Sequence, residues 1–172
     1  VMFDDHAASG VAPIFVDDNA QNFIVIIPGA NMTLSPADVR QASSAISAAS
    51  LLICQLEVPV ESTLEAFRIA KAAGVTTILN PAPAAQLPDE LLQLSDIIAP
   101  NETETEMLTG LSVATLQDAE KAAHALRQRG PKTVILTLGA RGALLVDEHS
   151  VEHVAPIKVK AVDPSGAGDS FI

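Results

Sequence analysis

Apolar residues fall in short runs along this chain, and the period inside the runs changes. Residues 11–16 and 23–27 are apolar, with Asp17, Asp18, Asn19 and Ala20 between them. That pattern predicts a β-hairpin with a polar turn, ended by Pro28 and Gly29. From Ser35 the period lengthens. Ser35-Pro36 reads as a helix cap followed by proline at the first helical position, and Val39, Ala42, Ile46 and Ala49 recur at helical spacing. A short strand is predicted over 51–54, then a helix from about Val60 that places Leu64, Phe67 and Ala70 on one face and stops at Gly74. Residues 75–79 are β-branched and apolar, a buried strand. Asn80-Pro81-Ala82-Pro83 is a loop, 88–94 a short helix and 97–98 a brief strand. Helices follow from Asn101 to Gly110 and from Thr115 to Gly130, the second with Leu116, Ala119, Ala123 and Leu126 on one face. Strands are predicted over 133–138, 143–146 and 151–155, and 157–162 leads into a final loop.

Strand and helix alternate from 51 to 138, the rhythm of βαβ units. The fold class is α/β: a central, mostly parallel sheet flanked by helices on both faces, with antiparallel hairpins at each end. Residues 1–30 are assigned to a small β unit and 31–172 to part of an α/β domain. Ligands of such sheets bind beyond the carboxyl ends of the strands. The candidate loops at 55–59, 80–83, 100–104 and 139–142 all fall there.

Composition narrows the class. In 172 residues, 48% are hydrophobic, 18% charged and 3% aromatic, with no Trp or Tyr, so the core must come from Ala, Val, Ile and Leu. The net charge of -11 argues against nucleic acid as a partner. It leaves room for an anionic ligand held by local donors. One cysteine, Cys54, sits in an apolar stretch and reads as a small buried hydrophobe; a reducing cytoplasm is the expected setting. No apolar run is long enough to span a bilayer, and Asp4 and Asp5 interrupt any signal-like start, so no membrane association is expected.

Four loops carry candidate chemistry, each with a plain structural alternative. Gly166-Ala167-Gly168-Asp169 follows a strand and opens a helix. It reads as an anion hole of backbone N–H groups beside an acid that can take a proton from a hydroxyl, or as a flexible loop. Asn101-Glu102-Thr103-Glu104 has capping-box spacing, which is compatible with a phosphate and hydrated Mg²⁺ site at a helix start. Thr137-Leu138-Gly139-Ala140-Arg141-Gly142 is either a turn with glycines at positive φ or a backbone rail for a nucleotide. Glu57 is a solvated loop acid or an acceptor for sugar hydroxyls. Three patterns are set aside. His149-x-x-Glu152-His153 matches a zinc signature that needs a helix, in a region that alternates like strands. Asp17-Asp18-Asn19 lacks the rest of a calcium loop. Gly166-x-Gly168 lacks the third glycine of a dinucleotide fingerprint, and no G-x-x-x-x-G-K-[ST] occurs.

The order of Pro28-Gly29-Ala30-Asn31, Gln55-Leu56-Glu57, Leu79-Asn80-Pro81-Ala82-Pro83, Pro100-Asn101-Glu102-Thr103-Glu104, the 137–142 segment and Gly166-Ala167-Gly168-Asp169 resembles the ribokinase group of PfkB-type carbohydrate kinases over nearly the whole chain. The resemblance implies a ribokinase-like fold and ATP-dependent phosphorylation of D-ribose at its 5-hydroxyl. It implies that Asp169 is the base, that the amides of Gly166, Ala167 and Gly168 form the anion hole, and that Asn101 contacts phosphate. Glu104 would organise Mg²⁺ through water, and Thr137, Leu138, Gly139, Ala140, Arg141 and Gly142 would carry the nucleotide. Glu57 and Ala12 would lie at the ribose, with Asp163 and Ser165 at an activating monovalent cation, K⁺. The hairpin would be a substrate lid that also makes a homodimer contact. The chain departs from the group in having Asp163-Pro164-Ser165 before the glycines, and it lacks matches to the group's N-terminal sugar contacts and to the segment after the catalytic loop, so the chain alone is expected to be inactive. A kinase for another sugar or nucleoside, or an inactive nucleotide-binding homologue, are the competing readings.

Overall fold

A computed structural model of the chain describes residues 4–17, 22–159, 163 and 165–172. Two sheets form. The first is a hairpin of β1 (Ile14–Val16) and β2 (Asn22–Ile24), with Phe15 opposite Phe23 and an outlying bridge between Val11 and Ile27. The strands are shorter than the apolar runs, and the expected turn at 18–20 lies outside the described residues. The second sheet has six strands in the order β3 (Leu51–Cys54), β4 (Thr76–Leu79), β5 (Ile97–Ile98), β6 (Thr133–Thr137), β7 (Ala143–Val146) and β8 (Val151–Val154). The first four are parallel, and β7 and β8 are antiparallel additions.

The crossovers carry α3 (Val60–Ala72), α4 (Asp89–Gln93), α5 (Glu102–Thr109) and α6 (Leu116–Gln128). Helices α3, α5 and α6 pack directly on the sheet, and α4 packs on α3. There Phe67, Leu91, Leu92, Ala123 and Leu126 pack with Leu79, Ile98, Val134, Leu136, Leu144 and Val146 in one buried cluster. The alternate residues of β3 point away from it, and Leu51 and Ile53 are 42% and 45% exposed. Alternation along a strand is what separates the two sets.

Caps behave as their sequences predict. Ser35, Asn101 and Thr115 each close a capping box with the acid three residues on, namely Asp38, Glu104 and Asp118. One expectation changes. The helix predicted through 35–49 is broken into α1 (Pro36–Gln41) and α2 (Ser43–Ala48) at Ala42, where the backbone leaves helical geometry. The Ser43 hydroxyl donates to the Arg40 carbonyl at 2.7 Å, a local bond that competes with a continuous helix.

At the amino ends of the strands, Asp96 joins three elements. Its carboxylate accepts from Lys71 Nζ at 2.8 Å, Lys132 Nζ at 2.7 Å and the Thr77 N–H at 3.0 Å. Burial alone would raise this carboxyl, but the Lys132 and Lys71 ammonium groups and the Thr77 amide outweigh it and hold it far below the carboxylate range. The folded value is depressed, so the stabilisation is complete above the unfolded value of about 4 and is lost as pH falls through the folded one. Lys132 is mostly solvated and contributes little. We therefore expect Asp96→Asn to lower stability by about 1–2 kcal/mol at neutral pH, with a smaller difference in acid. Urea unfolding of both proteins at pH 7 and pH 3 checks this, and an equal loss at both values would contradict it.

Candidate active site

Parallel strands that end together bring their following loops to one edge. Beyond β3 lies Glu57, beyond β4 Asn80, beyond β5 Asn101, and beyond β6 the 138–142 turn. Asn101 caps α5. Its side chain accepts from the Glu104 N–H at 2.9 Å, while the Glu104 carboxylate accepts from the Asn101 N–H at 2.8 Å and from Nδ2 at 2.9 Å. Glu104 is 5% exposed, and burial raises its carboxyl against the lowering effect of the Asn101 amide.

The turn between β6 and β7 is a short 3-10 segment, Gly139–Arg141. Gly139 and Gly142 both hold positive φ, 52° and 91°. A Cβ on Gly142 would stand 2.0 Å from the Val154 carbonyl oxygen, so only glycine lets β8 lie against the turn. The segment is a glycine turn, and Thr137, Gly139 and Gly142 also line a cavity of about 730 Å³. Leu138 faces the core at 1% exposure, and Ala140 is exposed. The Arg141 guanidinium pairs with Glu102 and donates to the carbonyls of Val113 and Ala114, both at 2.8 Å, tying the turn to α5 and the loop after it. His153 Nε2 meets the Arg141 carbonyl at 2.7 Å, so this histidine of the set-aside zinc pattern braces the same turn.

The terminal loop turns at Gly166, with φ 70°, into α7 (Ala167–Phe171). Ala167 and Gly168 also line the 730 Å³ cavity. Gly168 and Asp169 line a second, small cavity of about 90 Å³ with Asn80, Asn101, Glu104 and Thr137. Asp163 accepts from the Ser165 N–H at 2.8 Å, which holds its carboxyl below the usual range. Pro164 lies outside the described residues.

Glu57 and Ala12 share a separate cavity of about 300 Å³ with residues of the hairpin, including Ile26 and Ile27. The Leu56 N–H donates to the Ala82 carbonyl at 2.8 Å, so the Glu57 and Asn80 loops are joined. The structure therefore groups Asp169, Gly168, Asn101, Glu104 and Thr137, and sets Glu57 and Ala12 beside the hairpin.

Several lining residues carry no sequence signal. Val154, Pro156 and Ile157 form an apolar wall of the larger cavity, and Phe171 joins it. They read as strand and linker positions until β8 is laid against the turn. Asn80 was legible only as part of a loop.

Comparison with known proteins gives a consistent result. The family model described as pfkB family carbohydrate kinase matches residues 1–172. The chain is 48% identical over 166 residues to a ribokinase of Staphylococcus aureus (strain COL), covering 96% of this chain and 55% of that protein. It is 43% identical over 166 residues to a deoxyribokinase of Salmonella typhi, covering 96% and 54%. Among solved structures, the ribokinase of Arabidopsis thaliana complexed with ribose and ATP superposes with a TM-score of 0.84 at 30% identity, covering 96% of this chain and 55% of that one. The chain spans about half the length of the curated relatives it matches.

Proposed function

The chain belongs to the pfkB family of carbohydrate kinases, and on that premise we propose that the protein carrying it transfers the terminal phosphoryl group of ATP to the 5-hydroxyl of D-ribose. The observation that carries this reading is the 90 Å³ cavity, where Asp169, Gly168, Asn101 and Glu104 meet. Asp169 takes the proton from the sugar hydroxyl as that oxygen attacks phosphorus. The amides of Gly166, Ala167 and Gly168 receive the negative charge that develops. Residues 137–142 and the apolar wall hold the nucleotide, and the 730 Å³ cavity is of a size that suits one. Glu57 accepts from ribose hydroxyls, with Ala12 beside the sugar.

Both oxygens of Glu104 already accept from Asn101, which fits a role toward Mg²⁺ through water rather than by direct ligation. Mg²⁺ would supply charge neutralisation at the phosphates. The Asp163 carboxylate and the Ser165 main chain are hard oxygen donors of the kind that suits K⁺. The hairpin supports a homodimer contact: Phe15 and Phe23 are directly opposed and 61% and 67% exposed. Cytoplasmic residence is part of the same reading.

A deoxyribokinase among the relatives gives a specific second reading, 2-deoxyribose as substrate. Rates with ribose, 2-deoxyribose and other pentoses, each with ATP, decide between them. We expect ribose to have the highest kcat/KM. A higher value for 2-deoxyribose would establish the second reading, and no phosphorylation of any sugar would overturn both.

A further inference from the structure

One buried polar group at this edge has no role in the mechanism above. Asn80 follows β4 and is 6% exposed. Its main-chain N–H extends the sheet by donating to the Cys54 carbonyl at 2.9 Å. Among the described residues no protein group hydrogen-bonds its carboxamide, which lines the small cavity beside Glu104 and Asp169. The residue is buried but its carboxamide is not sealed off, so its N–H donors are open to a ligand in the cavity.

The chemistry of the cavity indicates which ligand. Two carboxylates line it, and among the described residues no lysine or arginine does. An anion entering there meets repulsion that neutral donors, together with Mg²⁺, must offset. A carboxamide NH₂ offers two N–H donors without adding charge to either side. The volume of about 90 Å³ holds a few waters or one tetrahedral anion.

We propose that Asn80 is a further binding residue of the site, its carboxamide N–H donating to the terminal phosphoryl group of the nucleotide between Glu104 and Asp169. This rests on the kinase reading. Calorimetric titration of the intact protein with ATP and, separately, with ADP tests it. Asn80→Ala weakens ATP about tenfold, the effect of losing a hydrogen bond to a charged group, and leaves ADP within about twofold, because ADP lacks that phosphoryl group. Asn80→Asp, which keeps the shape and adds a third carboxylate, weakens ATP further. It also carries the same comparison if the alanine variant does not fold. Equal weakening of ATP and ADP would assign Asn80 a structural role and overturn the proposal, as would no change in either. Wild-type protein that binds neither nucleotide overturns the kinase reading together with this one; wild-type ATP binding with an indifferent Asn80 overturns this one alone.

Discussion

Replacing Asp169 by asparagine lowers kcat for sugar phosphorylation by the intact protein about 10²–10⁴-fold, the range that a positioned general base contributes. The substitution keeps the shape of the side chain and removes its capacity to accept a proton. Asp169 is exposed at the start of α7 and lines the small cavity, so its side chain is open to an incoming hydroxyl. Asn101 and Glu104, which line the same cavity, hold each other in the capping box and do not depend on Asp169 for their placement. ATP affinity should therefore change by no more than about twofold, because the loss falls on the transition state. Initial rates with saturating ATP and sugar check the prediction, with nucleotide titration as the control. Turnover within about threefold of wild type would remove Asp169 from the mechanism and leave the loop as an anion site alone.

Gly142→Ala is expected to destabilise the protein by about 2–4 kcal/mol, near the upper end of single substitutions. Two effects combine. The φ of 91° is one that L residues rarely adopt, and the new Cβ would lie 2.0 Å from the Val154 carbonyl oxygen and 3.0 Å from the Pro156 nitrogen. The β7–β8 pairing holds Val154 opposite Ala143, the neighbour of Gly142, so the strand cannot yield without losing ladder bonds. Gly139→Ala separates the two effects. Gly139 also has positive φ, 52°, but a Cβ there meets nothing within 4 Å. Its substitution should cost about 1 kcal/mol, from the dihedral alone. Urea unfolding of both variants checks this, and equal losses would show that contact with β8 is not the cause. Gly142 and Val154 line the larger cavity together, so if that cavity holds the nucleotide as proposed, the KM for ATP should rise in Gly142→Ala and stay near wild type in Gly139→Ala.

Much of the fold was legible because its signals are local. Ser35, Asn101 and Thr115 with their partners three residues on are complete instructions for helix starts, and each start formed as read. The 2.0 and 3.6 periods separated strands from helices across 51–154. The break at Ala42 was not legible, since helical spacing continues through it. Nor was the strand order, because alternation of strand and helix is the same whichever way the next strand is laid down.

The candidate site divides in the same way. The glycine loop, the Asn101–Glu104 pair and the 137–142 segment were each visible, because their residues lie close together in the chain and their chemistry is carried by glycines, acids and amides. Taken singly, each was better read as plain structure, and the order of the motifs pointed to the pfkB kinases. By itself the sequence determined the elements, their caps and that family, since propensity, capping and motif order act over short spans. Only the tertiary structure decided that Asp169 shares a cavity with Asn80 and Glu104, that Val154 closes on Gly142, and that the Arg141 side chain serves α5. Those relations depend on strand order and register, which residues distant in sequence settle by competing for one sheet edge and one core.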